Sequence, residues 1–334
     1  MNGAPVEWES YAVYNPAAVV AGDGTVRLLY RAQGPDLTSR LGLAVSHDGV
    51  RFERRPEPVL HPADDGLRAY EWPRGCEDPR LVTAGDGTYV LTYTAYDGAV
   101  ARLCVATSPD LVTWTKHGPA FARAHGGRYL DAWSKAGAVV VRRDGDRMVA
   151  ARVNGRYWMY WNDLQMYAAT SDDLIAWEPV ELPGLGPGGE PARRRDGLGR
   201  LRTVLPTRPG RFDSALVEPG AWALLDGDRI RLVYNARNDH RVGDTGFPDL
   251  TYAVSVAEFD AADPLVERWR ADTPLLAPRE RHELRGQVDS VVFTEGMVPR
   301  GDHWLLYYGG GDSAVCVAEL HETAAPLHEG RTTQ

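Results

Sequence analysis

Five times along this chain a tight turn built on Asp-Gly, Gly-Asp or Asn-Gly runs into an alternating strand that carries a tyrosine near its end. The stretches are DGTVRLLYRA at 23, DGTYVLTYTA at 86, NGRYWMYWN at 154, DGDRIRLVYNA at 226 and GDHWLLYYGG at 301. Their tyrosines, Tyr30, Tyr93, Tyr160, Tyr234 and Tyr307, are spaced 63, 67, 74 and 73 residues apart. A second landmark follows each one: LAVSHDGVRF, VATSPDLVTW, AATSDDLIAW, SVAEFD and CVAEL. In the first three, a strand meets a Ser-x-Asp turn with another strand behind it. Each period therefore holds about four strands. One such sheet cannot bury both its faces, so five of them predict blades stacked about an axis. The expectation is an all-β, five-bladed β-propeller forming a single catalytic domain over residues 1–334, with a two-sheet sandwich as the competitor.

Composition narrows the function classes. A formal net charge of −9 disfavours a phosphate-tracking surface, so nucleic acid is not an expected partner. Cys76, Cys104 and Cys316 are too few for a disulfide framework and read as reduced thiols. The first residues show no secretory pattern, and no apolar run reaches about 18 residues, so a cytoplasmic protein without membrane attachment is expected. Oligomeric state is not encoded in the repeat. The Gly/Pro-rich stretch 182–200 and the stretch 238–249 read as surface loops, and Arg193–Arg195 as a solvated face.

Aligning what precedes each turn brings polar residues into one register. Asn15, Asp78 and Glu218 stand eight places before Asp23, Asp86 and Asp226, Lys135 nine before Asp144, and Glu295 seven before Asp302. A bulge accommodates a drift of one. Innermost propeller strands line the axis, so these five residues should face one another. Carboxyl groups held close push their pKa values apart, as acid and base work on a glycosidic bond requires. A structural ion-pair network would give the same pattern.

The ordered set YNPAAVV, LLYRA, SRLGLAVSHDG, GCEDPRLV, TSDDLIAW, VVFTEGMV and LLYYGGGDSAVCVA resembles glycoside hydrolase family 130, the β-mannoside phosphorylases and their hydrolase relatives. The resemblance implies the five-bladed fold, with Asp78 as an acid that protonates the leaving oxygen through a sugar hydroxyl. It implies that Asn15, Arg31, Arg40 and Asp312 hold the sugar at the cleavage site. Arg31 could equally pair with Glu77, and Asp312 could be a turn residue. Glu77, Arg80, Lys135, Asp213, Asn235 and Asp289 complete the expected substrate-binding set.

Phosphorylases of the family place a His-Arg pair at the end of the third-blade strand and a His after the fourth-blade tyrosine. Here those places hold Trp161-Asn162 and Asn235, although Lys135 remains. Glu218 and Glu295 instead match glutamates of the family's hydrolases, and either could activate water. The expected activity is an inverting hydrolysis of β-mannosides, β-1,2-linked by family analogy. The alternatives are a phosphorylase releasing mannose 1-phosphate and a non-catalytic sugar-binding propeller. Neither metal nor cofactor is expected, because the histidines lack ligand spacing. His47 reads as an exposed turn residue and Cys76 as a small packed one. Trp133, Trp158, Trp161 and Trp222 are either sugar platforms or blade core.

Overall fold

The computed structural model describes residues 6–183 and 198–321; Arg193–Arg195 and most of the 182–200 loop lie outside that range. Its strands form five successive antiparallel meanders. The first is β1 (Ala12–Val20), β2 (Val26–Gln33), β3 (Ser39–Ser46) and β4 (Glu53–Arg54). The second is β5 (Gly75–Thr83), β6 (Tyr89–Tyr96), β7 (Ala101–Ser108) and β8 (Thr115–Pro119). The third contains β9 (Ala138–Asp144), β10 (Arg147–Ala150), β11 (Arg152–Val153), β12 (Arg156–Trp161), β13 (Met166–Ser171), β14 (Glu178–Pro179) and β15 (Thr203–Leu205). The fourth is β16 (Leu216–Asp226), β17 (Arg229–Arg237), β18 (Tyr252–Asp260) and β19 (Glu267–Arg270). The fifth has β20 (Val292–Arg300), β21 (His303–Gly310) and β22 (Ala314–His321) among the described residues.

The third meander differs for a local reason. It turns twice, at Asp144-Gly145 and at Asn154-Gly155, where the others turn once between their first two strands. β10 pairs with the far half of β9, and β12 returns to pair with its near half, Met159 opposite Val139.

The first strands of the meanders contact one another in a closed cycle. β1 packs on β5, β5 on β9 and β10, β9 runs parallel to β16, β16 packs on β20, and β20 returns to β1. The architecture is β-propeller-like, with only short helical turns between sheets. Among the described residues, no helix is long and apolar enough to cross a membrane. All three cysteines are unpaired, Cys76 and Cys104 being buried.

The repeated tyrosines explain part of the periodicity. All five are buried, and each hydroxyl donates to a segment outside its own strand. In three meanders the acceptor is a buried acid that also meets a cation from the outermost strand. Tyr30 donates to Glu9, which pairs with Arg54; Tyr93 donates to Glu71, which pairs with Lys116; Tyr234 donates to Asp213, which pairs with Arg270. Each latch ties the incoming chain to the second and fourth strands of its sheet, and the buried carboxylate finds the partners its desolvation demands.

Candidate active site

Four of the five first strands break register at the same place: between Tyr14 and Pro16 in β1, Glu77 and Arg80 in β5, Pro219 and Ala223 in β16, and Thr294 and Gly296 in β20. The tyrosines of the second strands lie opposite these bulges. A bulge re-aims a side chain that a regular pleat would send into the sheet packing. Asn15 and Asp78 occupy it with φ of 46° and 50°, a left-handed conformation that Asn and Asp tolerate better than most residues. Because β1, β5 and β16 carry the bulge yet share one offset, the bulge does not account for the one-residue drift.

The ring residues meet. Asn15 Nδ2 donates to Asp78 Oδ1 at 3.0 Å, and Arg31 Nη1 donates to the same oxygen at 2.8 Å. Lys135 Nζ lies 3.3 Å from Asp78 Oδ2 and 3.9 Å from Glu218 Oε1, so those two oxygens are at most 3.3 + 3.9 = 7.2 Å apart. That bound falls within the range of carboxyl separations seen across a glycosidic bond. Arg80 links Glu218 and Glu295, at 3.3 Å and 3.0 Å. Glu77 takes Arg31 Nη2 at 2.6 Å and the Ser39 hydroxyl at 3.2 Å, so Arg31 serves both acids of the pair. Close backbone approach supports the ring: a Cβ on Gly309 would stand 2.4 Å from Asn15 Oδ1.

Their surroundings separate the carboxyl groups. Burial would raise Asp78, but Arg31, Lys135 and Arg80, with the Asn15 hydrogen bond, hold it far below the usual carboxylate range. Burial lifts Glu218 to about 7 against the pull of Lys135 and Arg80. Burial, reinforced by the charges of Asp78 and Glu218, pushes Glu295 well above its ordinary value despite Arg80. Neither carboxyl oxygen of Glu295 has a hydrogen-bond partner, because Arg80 approaches it as an ion without hydrogen-bond alignment. Asp312, in the left-handed region at φ 50°, is raised to about 6 by burial, with Arg31, Asp78 and Lys135 close enough to act on it.

Five expected substrate contacts find other partners. Arg80 is 1 % exposed and donates to four protein oxygens, the carbonyls of Gly220, Asp78 and Pro219 and the Glu218 carboxylate. Arg40 pairs with Asp36 and the Thr38 carbonyl. β2 and β3 set Arg40 opposite Ala32 and Arg31 opposite Leu41, so the two arginines leave the sheet on opposite faces. Asp213 is sealed in its latch between Tyr234, Arg208 and Arg270. Asn235 spends its amide on the backbone of Thr294, donating to its carbonyl at 2.9 Å and accepting its N–H at 2.8 Å, which fixes the bulge beside Glu295. Asp289 pairs with Arg285 on an exposed loop. Trp161 and Trp222 are core, whereas Trp133 donates to Asp163 at 3.0 Å. His47 is exposed, as expected.

Sequence reasoning missed several neighbours. Asp163 acts on both Lys135 and Glu218. Tyr14 lies under the Arg31 guanidinium, 4.8 Å from its centre. Arg237 donates to the Tyr252 hydroxyl at 3.2 Å, and Tyr252 is close enough to Glu218 and Lys135 for their charges to reach it. Asp163 and Arg237 lie at the ends of second-type strands, next to the Trp161-Asn162 and Asn235 positions, where a signal was available.

The sequence pattern of glycoside hydrolase family 130, described as β-1,4-mannooligosaccharide phosphorylase, matches residues 3–195 and 199–325. A 1,2-β-oligomannan phosphorylase of Thermoanaerobacter sp. (strain X514) is 30 % identical over 96 % of this chain and 93 % of its own length. A β-1,2-mannobiose phosphorylase of the same organism is 27 % identical over 95 % and 92 %. A solved glycosyl hydrolase from Bacteroides ovatus superposes with a TM-score of 0.87 at 40 % identity, covering 94 % of this chain and 85 % of that one. A second structure, from work reporting that the GH130 family of mannoside phosphorylases contains glycoside hydrolases targeting β-1,2 mannosidic linkages in Candida mannan, has a TM-score of 0.87 at 40 % identity over 96 % and 88 %. The chain belongs to glycoside hydrolase family 130.

Proposed function

We propose that this chain is a five-bladed propeller, folded as one domain, that cleaves β-1,2-linked mannosides with inversion at the anomeric carbon. The observation that carries this reading is Lys135 standing between Asp78 and Glu218 at the axis, with two carboxyl groups of opposed proton affinity no more than 7.2 Å apart. Asn15, Arg31, Glu77 and Asp312 surround Asp78 and supply donors and acceptors for sugar hydroxyls. Three reduced cysteines fit a cytoplasmic setting.

In the free protein Asp78 is an anion and Glu218 half protonated near neutrality. Turnover needs the reverse: a proton on Asp78 for the departing oxygen. A sugar hydroxyl that takes over Asp78 Oδ2 releases Lys135 toward Glu218, which raises the first acid and lowers the second. Once Asp78 has taken a proton from solvent, the acceptor oxygen attacks the anomeric carbon from the opposite face as the carbon–oxygen bond breaks. Asp78 gives its proton to the leaving oxygen through that hydroxyl, and where the acceptor is water Glu218 takes the water's proton.

Two acceptors are in play. The curated relatives are named phosphorylases, which supports phosphate over the hydrolysis expected from sequence. Arg237 adds a cation beside Tyr252, and its buried Nε has no hydrogen-bond partner. One feature favours water: Arg31 and Lys135 are already committed to carboxylates, and Glu218 stands where a phosphate dianion would be repelled and a water deprotonated. Incubation with β-1,2-mannobiose, with and without phosphate, followed by product chromatography, separates these readings. Mannose 1-phosphate formed only with phosphate identifies a phosphorylase. Mannose released at a phosphate-independent rate identifies a hydrolase. An intact disaccharide in both reactions refutes catalysis on this substrate.

A further inference from the structure

We propose that Arg80 is the positioning residue of this centre, setting where Glu218 stands relative to Asp78 without touching substrate; this rests on the functional reading above. Arg80 starts on β5, whose neighbours in the cycle of first strands are β1 and β9, yet its side chain crosses the axis to β16 and β20. Nε donates to the Gly220 carbonyl at 3.1 Å, and Nη2 donates to the Pro219 carbonyl at 2.9 Å and to Glu218 Oε1 at 3.3 Å. Nη1 donates to the Asp78 carbonyl at 3.1 Å and lies 3.0 Å from Glu295 Oε1. A guanidinium has five N–H groups, and here four hydrogen-bond acceptors and one further carboxylate, the ion partner Glu295, surround it.

Those oxygens sit in or beside three bulges: Asp78 in that of β5, Gly220 in that of β16 with Glu218 and Pro219 just before it, and Glu295 in that of β20. A bulge leaves backbone groups without a ladder partner, and a buried carbonyl needs one. One planar cation thus ties together the three irregular segments that carry the acidic groups. Gly220 allows the approach, since a Cβ there would lie 2.5 Å from the Val233 carbonyl oxygen.

Replacing Arg80 alone strands buried carboxyl groups and carbonyls and so costs stability as well. What separates positioning from stability is the effect on one catalytic group. The Arg80 effect falls on Glu218. The charged and titratable groups facing Glu218 are Lys135 before β9, Arg80 and Asp78 from β5, Asp163 after β12, Tyr252 from β18 and Glu295 from β20. Removing Arg80 leaves Lys135 as the one cation acting on Glu218 from this set.

The test is steady-state kinetics of Arg80→Met and Arg80→Lys on β-1,2-mannobiose, across pH, with thermal melts as folding controls. Both variants should lose about 100-fold or more in kcat, the scale of a misplaced catalytic group, with KM little changed. The acid limb of the kcat/KM profile should move to higher pH in Arg80→Met and less in Arg80→Lys. A KM rise at constant kcat, or an unmoved pH profile, would overturn the proposal. A wild-type structure with bound mannobiose decides the matter even where a variant fails to fold: any sugar atom within hydrogen-bond distance of Arg80 contradicts it, and Arg80 still held by its four acceptors and Glu295 supports it. An inactive wild-type enzyme would refute the functional reading, while the same sugar-bound structure would still judge Arg80.

Discussion

At the scale of residues, the site is governed by how differently one environment treats neighbouring carboxyl groups. Asp78 has three cations and an amide around it, whereas Glu218 shares its cations with other acids and is lifted to about 7. A carboxyl raised on folding binds its proton more tightly in the native state, so stability is greatest below its unfolded value and falls as pH rises toward about 7. Glu218→Gln removes that penalty. Its melting temperature should exceed that of the wild type at pH 7.5, and the gap should close toward pH 4.5; a gap that widens on acidification would contradict the assignment. Turn offsets of seven to nine residues were enough to bring Asn15, Asp78, Lys135, Glu218 and Glu295 into one neighbourhood, because each counts back from the same kind of turn. Asp213 and Asn235 stand outside that register. An offset says nothing about which tyrosine or backbone amide comes from another strand to claim a side chain, as Tyr234 claims Asp213 and Thr294 claims Asn235.

At the scale of elements, the repeat has two structural products, the bulge that aims the polar residue and the latch that holds each sheet's edge. The latch of the fourth meander is the most completely buried: Asp213 has no exposed side-chain surface and Arg270 only 2 %. Asp213→Asn leaves Arg270 and Arg208 without a charged partner there, and breaking such a pair costs about 3–5 kcal/mol. A matching fall in unfolding free energy by denaturant titration is expected, with the KM of the folded fraction unchanged. A stable variant with a raised KM would return Asp213 to the substrate-binding set. The second turn of the third meander was visible in the sequence as both Asp144-Gly145 and Asn154-Gly155. That both are used, with β12 pairing back to β9, depends on a nonlocal contact that no turn signal carries.

At the scale of the whole molecule, residues far apart along the chain meet because the first strands close a cycle: Asp78 meets Lys135 (135 − 78 = 57 positions) and Arg80 meets Glu295 (295 − 80 = 215 positions). The five-unit period made that cycle legible. What it could not reveal is that the axis is crossed by Arg80, since a charged residue at a strand start reads equally as ligand contact or as anchor. The most direct test of the account is proton NMR of β-1,2-mannobiose turnover, run in phosphate buffer and in phosphate-free buffer, reading the anomeric configuration of the first product. The account requires that product to be the α-anomer, as mannose or mannose 1-phosphate, and to vanish with Asp78→Asn. A first product in the β configuration, or undiminished turnover by Asp78→Asn, would contradict it.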